Sequence, residues 1–309
     1  MDVVFMGTSA FAAPSLEKLL ASAHRILAVV TQPDRPQGRG RRLMETPVKQ
    51  LALAQHVQVL QPHRAGNSAF LSELTSLAPQ VIVVAAYGLL LPPALLAVPP
   101  LGCLNVHASL LPKYRGAAPI NWALIRGEVS TGVTIMQIDE TLDTGPILLQ
   151  TEVAIEPSDV VDTLQARLAS CGAETLLRAL DEMATGTLQA VPQDHSRATY
   201  APKLRKEDGI IQWERHAVEL ANHIRGVTPW PGAVTMHAGS MLRVWRVTPV
   251  PAPGARTPGS VAKIDGDGMW VETGDGYLLV HEVQPANGRR MPSAAYARGH
   301  RLEVGAVLG

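Results

Sequence analysis

The sequence predicts a Rossmann-like α/β domain with a mostly parallel sheet, followed by a small all-β barrel of the OB type. Apolar strand-like runs alternate with helical patterns through the amino-terminal half, which is typical of parallel βαβ units. A polar stretch without periodicity follows, as expected at a domain boundary. Beyond it, about five short apolar runs are separated by glycine-rich turns, a pattern typical of a small antiparallel barrel. We therefore predict domains at 1–186 and 209–309, joined by a linker at 187–208.

The predicted elements follow from the apolar runs and their boundaries. The continuous apolar run 80–86 lies between Pro79 and Gly88, as expected of a strand buried on both faces of a sheet. Further strands of the first domain are predicted at 2–6, 26–31, 57–60 and 147–155, and helices at 47–55, 69–77, 117–125 and 156–183. In the second domain we predict a helix at 217–225 and strands at 233–237, 241–247, 260–264, 269–273 and 277–283.

Composition and charge limit the function classes. The chain has 309 residues with 27 basic and 27 acidic side chains, so a nucleic-acid partner must meet a local basic patch. Its two cysteines, Cys103 and Cys171, are too few for a disulfide framework or a four-ligand zinc site, and we expect free thiols and no metal. Residues 81–103 are uncharged and long enough to span a bilayer, but glycine and paired prolines interrupt them. We therefore expect a cytoplasmic monomer with no membrane partner.

Residues 101–149 hold the candidate chemistry. Asn105 and His107 lie two residues apart in an apolar run, so a strand places both side chains on one face. Pro112 breaks that run, and a second apolar strand leads to Asp143. An amide, an imidazole and a carboxylate at the ends of neighbouring strands predict an acyl-transfer site. Each such residue alone more often satisfies a local hydrogen bond, but the combination favours a functional site.

An arginine-rich stretch follows the predicted strand at 26–31. Residues 31–42 contain prolines and glycines that keep them out of regular structure. Four arginines fall within eight residues of it, namely Arg35, Arg39, Arg41 and Arg42. Such a charge run is often a solvated surface loop. However, this one leaves the carboxyl end of a strand, where open α/β sheets place their binding crevice, and guanidinium groups suit phosphate. We therefore favour contact with phosphate or RNA.

Several motifs together resemble the formyltransferase superfamily that uses 10-formyltetrahydrofolate. The pattern Asn105-Val106-His107 with a downstream aspartate marks the superfamily as a whole. The arginine-rich loop, the motif at 115–120 and the carboxy-terminal barrel resemble its tRNA-modifying members. The matching segments lie at 5–8, 32–36, 105–112, 115–119 and 142–145. The resemblance extends from about residue 3 to the carboxyl terminus, with 1–186 as the catalytic domain and 209–309 as the tRNA-binding barrel.

The resemblance implies formyl transfer from 10-formyltetrahydrofolate to the α-amino group of methionine on initiator tRNA, for translation initiation in the bacterial cytosol. Asn105 would donate to the developing oxyanion, an interaction worth roughly 3 kcal/mol. His107 would bond the same oxygen or accept the amine proton, and Asp143 would orient His107. No covalent enzyme intermediate is needed. The resemblance assigns the folate contacts to Ser109, Leu110, Leu111 and Pro112, and the tRNA contacts to the four arginines of the loop.

Other interpretations of the sequence stay open. The acceptor in place of tRNA could be an amino sugar, a ribonucleotide or water, but a small acceptor needs neither the basic loop nor the barrel. A non-enzymatic RNA-binding protein is disfavoured by the intact Asn105, His107 and Asp143. A nicotinamide-dependent oxidoreductase is disfavoured because the turn at 7–11 lacks the spaced glycines of a dinucleotide-binding fingerprint.

Overall fold

The structure is a computed structural model and describes residues 1–37, 42–252 and 257–309. The chain forms two compact units. The first comprises Met1–Gly116, Ser130–Ala154 and Gln165–Tyr200, and the second comprises Ala117–Val129, Ile155–Leu164 and Ala201–Gly309. The passage from one unit to the other after Tyr200 falls inside the linker predicted at 187–208. The bounds 1–186, 187–208 and 209–309 stay a prediction.

The described residues form strands and helices that alternate through the first unit and are mainly strands in the second. The strands are β1 Asp2–Gly7, β2 Arg25–Val30, β3 Arg35–Gln37, β4 Arg42–Met44, β5 Val59–Leu60, β6 Val81–Ala85, β7 Cys103–His107, β8 Ser130–Gln137, β9 Ile147–Ala154, β10 Ala233–His237, β11 Ser240–Pro251, β12 Val261–Ile264, β13 Met269–Glu272, β14 Gly276–Pro285 and β15 Met291–Pro292. The helices are α1 Ala13–Leu20, α2 Pro47–Ala54, α3 Ser68–Leu77, α4 Pro93–Leu96, α5 Pro119–Ile125, α6 Val161–Thr185, α7 Ala217–Val227 and α8 Ser293–His300.

The first unit is built on a seven-stranded sheet with the order β5-β2-β1-β6-β7-β8-β9. The five strands from β5 to β7 are parallel, whereas β8 and β9 pair antiparallel. The central strands are buried on both faces; every residue of β6 is buried, which explains its unbroken apolar sequence. The predicted mostly parallel sheet is confirmed. Since β1, β6 and β7 run in one direction, their carboxyl ends share an edge, and His107 lies there as the last residue of β7.

The predicted irregular loop after β2 contains paired backbone. The short strands β3 and β4 form an antiparallel hairpin in which Arg35 pairs with Met44. Next to β3, Asp34 accepts a hydrogen bond from Lys49 Nζ at 2.6 Å and another from Gln61 Nε2 at 2.8 Å. The prolines and glycines of this stretch correctly predicted the end of β2. The strands β3 and β4 have only three residues each, too few for an alternation of apolar and polar residues to predict them.

The second unit contains an antiparallel sheet with the order β10-β11-β14-β13-β12, and β15 adds to β14. The carboxy-terminal segment pairs with both outer strands: Val261 of β12 donates its amide to the carbonyl of Ala306, and Gly309 donates to the carbonyl of Met236 of β10. Leu220 and Ile224 of α7 pack into the core of this sheet, beside Trp213. The predicted all-β second domain is therefore confirmed. Helix α8, which we did not predict, buries one short face around Tyr296.

Within the described ranges, no helix is long and apolar enough to cross a membrane.

Candidate active site

Asn105 and His107 lie in the middle and at the end of β7. The residue Asn105 pairs with Val84 of β6 on one side and with Met136 of β8 on the other, so its backbone is fixed by two neighbouring strands. Its side chain is partly buried and, among the residues that the structure describes, makes no hydrogen bond. The two N–H donors of this amide are therefore available to a ligand.

The two ring nitrogens of His107 face different partners. Nε2 lies 3.0 Å from the carbonyl oxygen of Tyr114, and because a carbonyl only accepts, Nε2 carries the hydrogen. Nδ1 lies 3.8 Å from Oδ2 of Asp143. In neutral His107 the lone pair therefore belongs to Nδ1. In the protonated ring the second N–H, at Nδ1, lies on the side of the Asp143 carboxylate.

Asp143 reaches His107 through a returning loop, and here the expectation drawn from strand ends is wrong in detail. Gln137, the last residue of β8, pairs with Leu104 near the start of β7, because the two strands are antiparallel. The loop 138–146 must therefore come back along the sheet to bring Asp143 to the other edge. Asp143 adopts a left-handed backbone conformation with φ of 55°, and its Oδ2 accepts a hydrogen bond from the amide of Gly116 at 2.8 Å.

The backbone of the predicted folate segment is hydrogen-bonded to side chains of two neighbouring strands. The carbonyl of Ser109 accepts a hydrogen bond from Thr134 Oγ1 at 2.6 Å, and the amide of Leu111 donates to Thr134 Oγ1 at 3.1 Å. The carbonyl of Leu111 accepts from Gln150 Nε2 at 2.9 Å. These backbone groups are thus already bonded to β8 and β9. The folate role of Ser109, Leu110, Leu111 and Pro112 stays a prediction.

A cavity of about 990 Å³ opens beyond the carboxyl ends of β5 and β6. Its walls come from the loop after β5, which carries His63 and Arg64, and from the apolar loop Leu89–Leu91. The sequence analysis did not single out His63 and Arg64; their only signal in the sequence is two adjacent basic residues after a short strand. Tyr87 is buried, and burial raises the pKa of its phenol to about 12, so the hydroxyl stays neutral.

The structure describes only part of the arginine-rich loop. Arg35 is exposed on β3. Arg39 and Arg41 lie outside the described residues, and the side chain of Arg42 is not described either. The tRNA contacts of these four arginines therefore stay a prediction.

Neither candidate nucleophile beside the site is activated. Cys103 is buried, and burial raises the pKa of its thiol to about 12, which leaves no thiolate near neutral pH. The hydroxyl of Ser109 donates to the carbonyl of Lys113 at 2.6 Å. The side chains that can act chemically at this sheet edge are the Asn105 amide and the pair of His107 and Asp143. Such a set stabilises an oxyanion and accepts a proton, which suits direct acyl transfer to an amine.

Two protein-family models cover most of this sequence. The formyl transferase model matches residues 1–180, and the model of the formyl transferase carboxy-terminal domain matches 203–301. This chain belongs to the formyl transferase family. The predicted family is thereby confirmed, and the chain is an enzyme of the formyl-transferring class.

The similar proteins extend over the full length of the chain. It is 49% identical to "Methionyl-tRNA formyltransferase" of Pelobacter propionicus, over 100% of this chain and 96% of that protein. It is 48% identical to the protein of the same name from Caldanaerobacter subterraneus subsp. tengcongensis, over 100% of both.

Solved structures share the fold at low identity. An N-formyltransferase from Helicobacter canadensis, in complex with folinic acid and dTDP-3-aminofucose, aligns with a TM-score of 0.69 at 17% identity, over 94% of this chain and 99% of that one. HypX from Aquifex aeolicus, in complex with tetrahydrofolic acid, aligns with a TM-score of 0.64 at 17% identity, over 98% of this chain and 48% of HypX. This chain thus spans about half the length of HypX.

Proposed function

We propose that this chain transfers the formyl group of 10-formyltetrahydrofolate to the α-amino group of methionine on initiator tRNA, for translation initiation. The observation that supports this best is the geometry of Asn105, His107 and Asp143, in a chain whose full-length relatives carry the name methionyl-tRNA formyltransferase. Relatives of this kind come from bacteria, and we place the enzyme in the bacterial cytosol as a monomer. Light scattering after size-exclusion chromatography measures the molar mass in solution and should give that of a single chain, 33.0 kDa.

Binding of the folate donor is supported by the shape and chemistry of the cavity beyond β5 and β6. A folate combines a flat ring system with an anionic glutamate tail. The apolar loop Leu89–Leu91 offers a wall for the rings, and Arg64 offers a cation for the tail. Segment 109–112 does not line this cavity, so a donor that contacts both would extend from the cavity to the end of β7. The formyl group of the donor must then reach the Asn105 amide.

The side chains suggest a direct transfer in one addition and one elimination. The neutral amine of the methionyl ester attacks the formyl carbon, a C–N bond forms, and the carbonyl oxygen becomes an oxyanion. Asn105 donates to that oxyanion, an interaction worth roughly 3 kcal/mol. His107 accepts a proton from the attacking nitrogen at Nδ1, since Nε2 is held by the Tyr114 carbonyl. Asp143 stabilises the resulting imidazolium, the bond from the carbon to N10 breaks, and the proton passes to N10.

Binding of tRNA is supported by basic and aromatic side chains in the second unit. The ring of Trp245 lies under two guanidinium groups, those of Arg243 at 5.6 Å and Arg290 at 4.9 Å. Arg246 is 61% exposed nearby, and Glu282 offsets part of the charge of this group. Guanidinium groups beside an aromatic ring suit phosphates and stacked bases. This group in the second unit supports RNA binding by the barrel domain, and Arg35 is an exposed cation of the first unit that supports it separately.

An acceptor assay tests the proposed function. The chain is mixed with 10-formyltetrahydrofolate and offered methionyl initiator tRNA, methionyl elongator tRNA, or a dTDP-linked amino sugar. We expect rapid formylation of the initiator tRNA and little transfer to the other two. Preferred formylation of the amino sugar, or release of formate without any acceptor, would overturn the proposal.

A salt series tests the arginine assignment. Replacing Arg39, Arg41 and Arg42 by alanine should weaken tRNA use and flatten its salt dependence, because each lost phosphate contact lowers the slope of log affinity against log salt by about 0.7 to 0.9. Folate affinity serves as the internal control. A change in folate affinity alone would show that the loop does not contact tRNA.

A further inference from the structure

A buried side-chain amide lies directly behind Asp143. Gln193 is only 6% exposed, although it belongs to the polar stretch that the sequence marks as a linker. Two residues before it, Val191 exchanges two backbone hydrogen bonds of 2.8 Å with Ile147 at the start of β9. This pairing fixes the segment beside the sheet. Gln193 is therefore placed by the fold of the first unit and not by a flexible connection.

All four hydrogen-bonding positions of the Gln193 amide are used. Nε2 donates to the carbonyl of Asp143 at 2.9 Å and to that of Gly145 at 2.8 Å. Oε1 accepts from Arg115 Nε at 3.2 Å and from Nη2 at 2.6 Å. Since carbonyls only accept and a guanidinium only donates, a single orientation of the amide satisfies every partner. The orientation of Gln193 is thus set by Arg115, and Gln193 in turn holds the loop of Asp143.

The loop needs such support. Asp143 has φ of 55°, a left-handed conformation that is unfavourable for a non-glycine residue and persists only where the surroundings fix it. The two carbonyls held by Gln193 lie on either side of Thr144, so the amide closes the turn that carries the carboxylate. On the other side, the Gly116 amide holds Oδ2. Backbone and carboxylate of Asp143 are therefore fixed separately.

Arg115 connects this support to the imidazole. The side chain of Arg115 is 2% exposed, and its guanidinium also contacts Nδ1 of His195 at 3.0 Å. Its preceding residue, Tyr114, gives the carbonyl that holds His107, and the following residue, Gly116, gives the amide that holds Asp143. One tripeptide thus touches both members of the imidazole–carboxylate pair.

We propose that Gln193 is a positioning residue for formyl transfer that acts through Asp143, and that Arg115 orients it. This rests on the proposed roles of His107 and Asp143. Without Gln193, the turn at 143–145 loses the donor that closes it, and the carboxylate moves away from the His107 ring. A displacement of about 1 Å in such a site costs about 100-fold in rate. Since Gln193 is buried and its amide is fully bonded within the protein, we expect the KM of both substrates to stay the same.

Two variants and one matched control test the role. Gln193→Leu removes the whole network, whereas Gln193→Glu keeps an acceptor for Arg115 and replaces the donors to the 143–145 turn by an acceptor oxygen that the two carbonyls repel. We expect kcat to fall about 100-fold in both, with KM for tRNA and for folate within twofold. Gln189→Leu is the control, since Gln189 is exposed in the same segment. We expect it to match the wild type in kcat. Thermal unfolding of the Gln193→Glu variant near the wild-type temperature would show that the loss is not one of folding.

A double-mutant cycle shows whether Gln193 acts through Asp143. In an Asp143→Ala background, single-turnover rates should change less than threefold when Gln193→Leu is added, because the group that Gln193 positions is gone. A repeated 100-fold loss in that background, or a raised KM with unchanged kcat, would overturn the positioning role alone. Full activity of Asp143→Ala by itself would overturn both the positioning role and the proposed role of the carboxylate.

Discussion

The pair of His107 and Asp143 gives the sharpest prediction, because one substitution removes its charge and keeps its contacts. In Asp143→Asn, the side-chain oxygen can still accept the hydrogen bond from Gly116, which is 2.8 Å long in the structure. The size of the side chain and the turn around it are also preserved. What is lost is the negative charge that faces Nδ1 of His107 at 3.8 Å.

The expected cost follows from Coulomb's law. Two unit charges 3.8 Å apart, in surroundings with an effective dielectric constant of about 20, attract each other by about 4 kcal/mol. The two side chains are only 6% and 12% exposed, so solvent screens this attraction weakly. The attraction exists only when His107 is protonated, which is the state formed as the amine attacks. A loss of about 4 kcal/mol from the transition state alone is about a thousandfold in kcat, and we take this as the upper bound.

Steady-state formylation of methionyl initiator tRNA measures the effect. We expect kcat of Asp143→Asn to fall between about 100-fold and 1,000-fold, with KM for both substrates within twofold. Glu140→Gln is the matched control: it makes the same type of change at an exposed position of the same loop and should leave kcat unchanged. A loss below tenfold in Asp143→Asn would refute the idea that this carboxylate stabilises the imidazolium.

Two further predictions concern stability. Burial lowers the pKa of His223 below its usual value near 6.5, so the unfolded chain binds more protons and stability falls as the pH drops below about 6.5. His223→Gln can still donate to the Asp208 carbonyl but cannot be protonated. We therefore expect its urea midpoint to change less between pH 7 and pH 5 than that of the wild type; an equal change in both proteins would contradict this. Gly132→Ala would place Cβ 2.3 Å from the Thr151 carbonyl and 2.5 Å from Leu110, so we expect a loss of about 1–3 kcal/mol in urea unfolding, whereas wild-type stability would contradict the clash.

The regular elements were predictable where the pattern is long. The buried run of β6 was predicted at 80–86 and is observed at Val81–Ala85, and β10 matches its predicted range. Some short elements were not predicted. The β3–β4 hairpin and the helix α8 each contain too few apolar residues at regular spacing to be assigned. The antiparallel direction of β8 also escaped, because apolar strands look alike whichever way they run in a sheet.

The sequence by itself determined the family and most of the strands and helices, and it singled out Asn105, His107 and Asp143 as candidate site residues. These depend on local spacing and on motifs read along the chain. Only the tertiary structure decided which His107 nitrogen keeps its hydrogen, and how the loop 138–146 returns Asp143 to the imidazole. It alone revealed Gln193, whose amide reaches the carbonyl of a residue 50 positions earlier in the chain. Hydrogen bonds between distant segments depend on how the segments meet, and that information is absent from any one of them.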